Sequence, residues 1–134
     1  MGSEQRVALI TGVSPGIGAG LVNGFLGRGY RVVANSRTIK PDAAGSPNVL
    51  TIAGDVTDRQ TAERIVGAAI DRFGRIDTLV NNDGIFVSKP FVEYADADFA
   101  AMLYVNLAGF FHLSQRVARR MLERGRVHNQ RENR

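Results

Sequence analysis

Thr11-Gly12-Val13-Ser14-Pro15-Gly16-Ile17-Gly18 is the stretch on which the reading of this chain turns. The apolar run Val7-Ala8-Leu9-Ile10 leads into it, and a helical pattern carrying Ile17, Leu21, Val22 and Phe25 leads away. A strand, a glycine turn and a helix in that order form a phosphate-binding device. Glycines let the backbone approach an anion, and the helix N-terminus offers free N–H groups and a positive dipole end. Spaced glycines alone are a weak signal, and the flanking strand and helix give this match its context.

The helix is expected to close at Gly27-Arg28-Gly29, and Arg31-Val32-Val33-Ala34-Asn35 then reads as a buried parallel strand. Together they make a βαβ unit. The residues after this second strand select between cofactors. Dinucleotide-binding folds commonly place an acidic residue there, on the ribose hydroxyls of NAD. Here the positions hold Ser36 and Arg37. A hydroxyl and a guanidinium suit a 2′-phosphate, so NADP is preferred over NAD. An ordinary exposed arginine is the plainer alternative.

Residues 38–48, with Pro41, Gly45 and Pro47, read as a loop, and Val49-Leu50-Thr51-Ile52-Ala53 as a third strand ending at Gly54-Asp55-Val56. A helix follows, capped by Thr57 or Asp58, with the apolar stripe Ala62, Ile65, Val66, Ala69, Ile70 and Phe73, and Gly74 stops it. Ile76-Asp77-Thr78-Leu79-Val80 is the fourth strand, running into Asn81-Asn82-Asp83-Gly84. In such sheets ligands sit beyond the C-terminal strand ends, where this chain places Gly12, Ser36, Asp55 and Asn82. Each alone is an ordinary turn former. All four at strand ends favour a binding site. From Asp96 a long helical pattern contains Asn106 and His112. An internal asparagine is unfavourable in a helix and needs a reason, of which exposure is the simplest. His112 reads as a surface or partly packed residue.

The composition narrows the function. A chain of 134 residues supports one domain, and without cysteine there is no disulfide framework and no thiolate site. Two distant histidines suggest no metal cluster. The polar start lacks an apolar signal region and no run reaches membrane-spanning length, so a cytoplasmic protein with no membrane partner is expected. The net charge of +4 is unevenly spread: residues 1–115 carry −1 and residues 116–134 carry +5. A basic tail can contact nucleic acid. The absence of aromatic residues there argues against a stacking platform, and a solvated helix face with a disordered end is favoured.

Taken together, these residues resemble the short-chain dehydrogenase/reductase family. Thr11-Gly12-x-x-x-Gly16-Ile17-Gly18 is similar to its cofactor loop and Asp55-Val56 to its adenine-pocket pair. Asn81-Asn82-Asp83-Gly84 resembles its Asn-Asn-Ala-Gly motif with one change, and Asn106 in Val-Asn-Leu its catalytic helix asparagine. The resemblance implies a Rossmann-like, doubly wound α/β fold with a parallel sheet of order 3-2-1-4, cut short so that strands five onward are missing. Residues 1–125 would form the nucleotide-binding domain and 126–134 a polar, basic, disordered tail. It also implies hydride transfer between small alcohols and carbonyls, and homo-oligomers. The cofactor residues are then Gly12, Ser14, Gly16, Ile17, Gly18, Ser36, Arg37, Asp55, Val56, Asn82 and Gly84, and the catalytic residue is Asn106.

The family's remaining chemistry uses a serine and a Tyr-x-x-x-Lys, the tyrosine exchanging the substrate proton with its pKa lowered by the lysine. Four residues after Tyr30, Tyr94 and Tyr104 stand Ala34, Asp98 and Ala108, so none fits. The expectation is a family oxidoreductase by descent that is inactive as this chain. The alternatives are a non-catalytic dinucleotide-binding or self-associating module, or a remnant of a frameshift or early stop. Asp83 adds a carboxylate beside the phosphates, although Asp-Gly is also a good turn pair.

Overall fold

A computed structural model describes residues 5–13, 17–40, 45–82 and 89–132, with the backbone alone for residues 17 and 126–132. The elements run β1 (Val7–Ile10), α1 (Ile17–Gly27), β2 (Arg31–Ser36), β3 (Val49–Ala53), α2 (Arg59–Phe73), β4 (Thr78–Val80), a short 3-10 turn (Phe91–Glu93) and α3 (Asp96–Glu132). The four strands form one parallel sheet of order β3-β2-β1-β4. This is the expected order.

Val7, Ala8, Leu9 and Ile10 of β1 and Val32 and Val33 of β2 are all fully buried, because a parallel strand between helices has no wet face. Alternating side chains feed two cores. On one face Val7, Leu9, Val33 and Ile52 meet Ala62, Ile65, Val66, Ala69 and Phe73 of α2 and Leu113 and Val117 of α3. On the other, Ile10, Val32, Ala34 and Val49 pack with Val22, Leu21 and Phe25 of α1. Layers on both sides of the sheet make it doubly wound.

Local chemistry sets the element ends. The Asp58 carboxylate accepts from the Gln60 N–H at 2.9 Å and caps α2, and Gly74, at φ 80°, donates to the Ile70 carbonyl and closes it. The fourth strand is shorter than Ile76–Val80, starting at Thr78, because Asp77 is taken up at the sheet's N-terminal edge. Its carboxylate accepts from the Val7 N–H at 2.9 Å, from Arg75 Nε at 2.7 Å and from Arg124 Nη1 at 3.1 Å. Burial pushes the Asp77 pKa up, but the bonds from Arg75 and Val7 and the charges of Arg75 and Arg124 outweigh it and hold the carboxyl below its ordinary range.

The 37 residues of α3 span roughly 55 Å at 1.5 Å per residue. The helix continues through Glu132, where the sequence reading expected a separate tail after residue 125. Arginine, glutamine and glutamate favour a helix, and basic residues suit its C-terminal dipole end. Among the described residues, no helix is long and apolar enough to cross a membrane.

Candidate functional site: a cleft at the C-terminal strand ends

The turn after β1 turns back on itself at Gly12, whose φ of 65° lies in the left-handed region. A Cβ on Gly18, one turn into α1, would stand 2.8 Å from Val13 Cα and 2.9 Å from the Gly12 carbonyl oxygen. The helix therefore starts hard against the turn, and only glycine allows it. The turn is tied on both sides. Thr11 N–H donates to the Val80 carbonyl at 3.1 Å and Val13 N–H to the Asn35 carbonyl at 2.8 Å. Ser14, Gly16, Asp83 and Gly84 lie outside the described residues, and of Ile17 the backbone is described.

The residue pair after β2 meets the pair after β3. Asp55 accepts from the Thr57 N–H at 3.0 Å and from Thr57 Oγ1 at 2.8 Å. These bonds, backbone first, lower its pKa, and the Arg37 charge lowers it further, while partial burial opposes them. Asp55 is therefore a carboxylate at neutral pH, close enough to Arg37 to feel its charge. Ser36, half-buried, ends β2, and Arg37, exposed, follows it at the rim of the sheet. Val56 is 3% exposed and is covered by Gly109 of α3, where a Cβ would come within 2.7 Å of Val56 Cγ2.

The β4 end completes the cleft. Asn82 donates through its backbone N–H to Thr11 Oγ1 at 3.1 Å and through Nδ2 to the Gly12 carbonyl at 3.2 Å. Asn82 thus fastens the end of β4 to the glycine turn. Asn81 Nδ2 donates to Ser114 Oγ at 3.2 Å and fastens the same end to α3. A cavity of about 380 Å³ opens there, lined by Thr11, Val56, Asn81, Asn106, Leu107, Gly109 and Phe110. Asn106 is exposed toward this space, which gives the helix-interior asparagine its reason.

The structure thus brings Gly12, Gly18, Ser36, Arg37, Asp55, Val56, Asn82 and Asn106 to one end of the sheet. Backbone that a Cβ would block, polar strand-end groups and a cavity beside β1 and β4 fit a dinucleotide crossing the strand ends. Three participants were not singled out from sequence. Thr11 and Asn81 stand out in the sequence only as members of their motifs, and Gly109 belongs to no motif. A glycine three residues after Asn106, on the same helical face, was the available signal.

The family model for short chain dehydrogenase matches residues 6–129. The chain belongs to the short-chain dehydrogenase family. Sorbitol dehydrogenase of Cereibacter sphaeroides is 35% identical over 127 residues, covering 92% of this chain and 50% of that protein. A short-chain dehydrogenase structure from Leptospira borgpetersenii with bound NAD+ superposes with a TM-score of 0.78 at 32% identity, over 90% of this chain and 48% of the other. A 3-ketoacyl-(acyl-carrier-protein) reductase from Brucella melitensis complexed with NADH gives a TM-score of 0.79 at 29% identity, over 93% and 54%. The chain spans about half the length of the curated relatives it matches.

Proposed function

We propose that these residues form the cofactor-holding half of an alcohol/carbonyl oxidoreductase and bind NADP(H) in preference to NAD(H). One arrangement supports this: Gly12, Gly18, Arg37, Asp55, Val56, Asn82 and Asn106 share one set of strand ends. The glycine turn and the start of α1 would hold the pyrophosphate, with N–H groups directed at its charge. Asp55 would receive the adenine, its carboxylate accepting from the amino group, while Val56, buried against Gly109, would hold the turn from the core side. Ser36 and Arg37 would take the 2′-phosphate, Arg37 through a charge-assisted pair. Asn82 would line the nicotinamide end, and Asn106 would order the proton path from α3.

When bound, the nicotinamide ring supplies or accepts a hydride. The protein's part is orientation, exclusion of water and proton handling. In these 134 residues Asn106 matches the family's catalytic asparagine, and no Tyr-x-x-x-Lys is present. General acid–base catalysis contributes about 10²–10⁴ in rate. Efficient binding with little turnover is therefore the expected behaviour of the chain alone, acting on small carbonyl compounds or alcohols. The two relatives with NAD+ and NADH speak for the dinucleotide, and Ser36-Arg37 is the ground for preferring its 2′-phosphate form.

β4 ends the sheet, and Phe99, Leu103, Leu107, Phe110 and Phe111 stand exposed on α3. Apolar surface of this kind and an open strand edge favour self-association as a homo-oligomer. Among the described residues no helix is long and apolar enough to cross a membrane, and a cytoplasmic location suits a nicotinamide-dependent domain.

Titration with NADPH and NADH, in the wild type and in Arg37→Glu, tests the proposal. The wild type should favour NADPH, and the variant should lose that preference while keeping NADH. Equal losses for both cofactors would refute the role of Arg37. Robust carbonyl turnover by the chain alone would refute the expectation of binding without catalysis.

A further inference from the structure

We propose that Asn35 is a positioning residue for the adenosine end of the cleft: its buried side-chain amide fixes the β3–α2 turn that carries Asp55 and Val56. The inference rests on the cofactor reading above.

Asparagine is a poor strand former, and a buried amide is costly unless it is hydrogen-bonded. Asn35 nevertheless lies in β2 with no solvent exposure. Its Nδ2 donates to the Ile52 carbonyl at 2.9 Å and to the Gly54 carbonyl at 3.2 Å. Those two acceptors fix the orientation of the amide, since the flipped group would set its oxygen against both carbonyls. Oδ1 is left buried with no hydrogen-bond partner among the described residues. An apolar side chain would remove that orphaned acceptor but leave the Ile52 and Gly54 carbonyls without this donor. Packing alone therefore does not account for Asn35.

What the amide supplies is a fixed position for Gly54. The Gly54 carbonyl is held by Asn35 Nδ2, and its N–H donates to the Ser36 carbonyl at 3.1 Å. Gly54 has a φ of 152°, and a Cβ there would lie 2.6 Å from Thr61 Cγ2 and 2.7 Å from Arg64 Nη2. The residue before Asp55 is thus pinned between β2 and the first turns of α2. Asn35 also receives the Val13 N–H on its own carbonyl. The glycine turn for the pyrophosphate and the Asp55-Val56 turn for the adenine are referenced to one residue, and its side chain holds the second of them.

The test is calorimetric titration of the full chain and of Asn35→Leu with adenosine 2′,5′-bisphosphate and with reduced nicotinamide mononucleotide. Amide NMR spectra would report on the turn. Losing the two donors should weaken the bisphosphate about five- to tenfold. The mononucleotide should bind as before, and amide signals of Gly54, Asp55 and Thr57 should move while those of β1 stay. Asn35→Thr keeps one donor on a strand-compatible side chain and should fall between the two proteins. It decides the matter by the same split if Asn35→Leu does not fold. Unchanged bisphosphate affinity in the variants, or equal losses for both fragments, would overturn the positioning role. A wild type that binds neither the bisphosphate nor NADPH would instead overturn the cofactor reading itself.

Discussion

Gly109→Ala and Gly67→Ala make the same chemical change in two helices and should act in opposite directions. Gly67 lies within α2, and a Cβ there meets nothing within 4 Å. Alanine should therefore bring its full helix preference, about 1 kcal/mol over glycine. Gly109 lies within α3, where a Cβ would stand 2.7 Å from Val56 Cγ2, against about 3.5–4.0 Å for comfortable carbon contact. Val56 is 3% exposed and has little room to retreat. Overpacking of this kind costs about 1–3 kcal/mol, so the propensity gain is offset and the net should be near 1 kcal/mol destabilising. For a chain of this size each kcal/mol moves the melting midpoint by roughly 3–5 °C. Thermal unfolding by circular dichroism should show Gly67→Ala rising and Gly109→Ala falling by about that much. Because Val56 adjoins Asp55, Gly109→Ala should also weaken NADPH binding, whereas Gly67→Ala should not. A Gly109→Ala protein that melts higher than the wild type would refute the close α3–Val56 contact on which the cavity depends.

Asp77→Asn should cost about 1–3 kcal/mol by urea unfolding at pH 7, since it leaves Arg75 without its charged partner. The native Asp77 pKa lies below the unfolded value, so its contribution is present above the ordinary carboxylate pKa of about 3.9 and is lost as pH falls through the native value. The gap between wild type and Asp77→Asn should therefore close in acid, and a gap that persists would contradict the sign. Asp58→Ala removes the cap on the Gln60 N–H and should cost about 1 kcal/mol in the same assay. No measurable loss would show that another group caps α2. Light scattering should find the chain self-associated, with Leu107→Asp shifting it toward the monomer, and a clean wild-type monomer at working concentration would count against the exposed α3 face as an interface.

The parts of this fold legible in the sequence are those with a local cause. Val7–Ile10 and Arg31–Ser36 announce themselves by unbroken apolar or β-branched residues, and the α2 stripe from Ala62 to Phe73 by its spacing. Glycines at a turn or helix end, such as Gly12 and Gly74, also read locally, because their backbone angles are their reason. What stayed hidden depends on distant partners. Asp77 shortens β4 by binding Val7, 70 residues away, and Arg124. Gly109 matters only because Val56 lies against it, and Asn35 only because the Gly54 carbonyl arrives from β3. A strand pattern registers Asn35 as one weak residue and carries no trace of the turn it holds. Asn106 shows the intermediate case. Its oddity in a helix was visible, but the cavity that explains it is built by β1, β4 and the turn after β3.

Whether these residues hold the cofactor can be measured directly. Titrating the wild-type chain into NADPH and following the nicotinamide fluorescence measures this in one step. Saturable binding at one site per chain, tighter than for NADH, is the predicted result. A signal that never saturates, with no competition from adenosine 2′,5′-bisphosphate, would contradict the cleft described here.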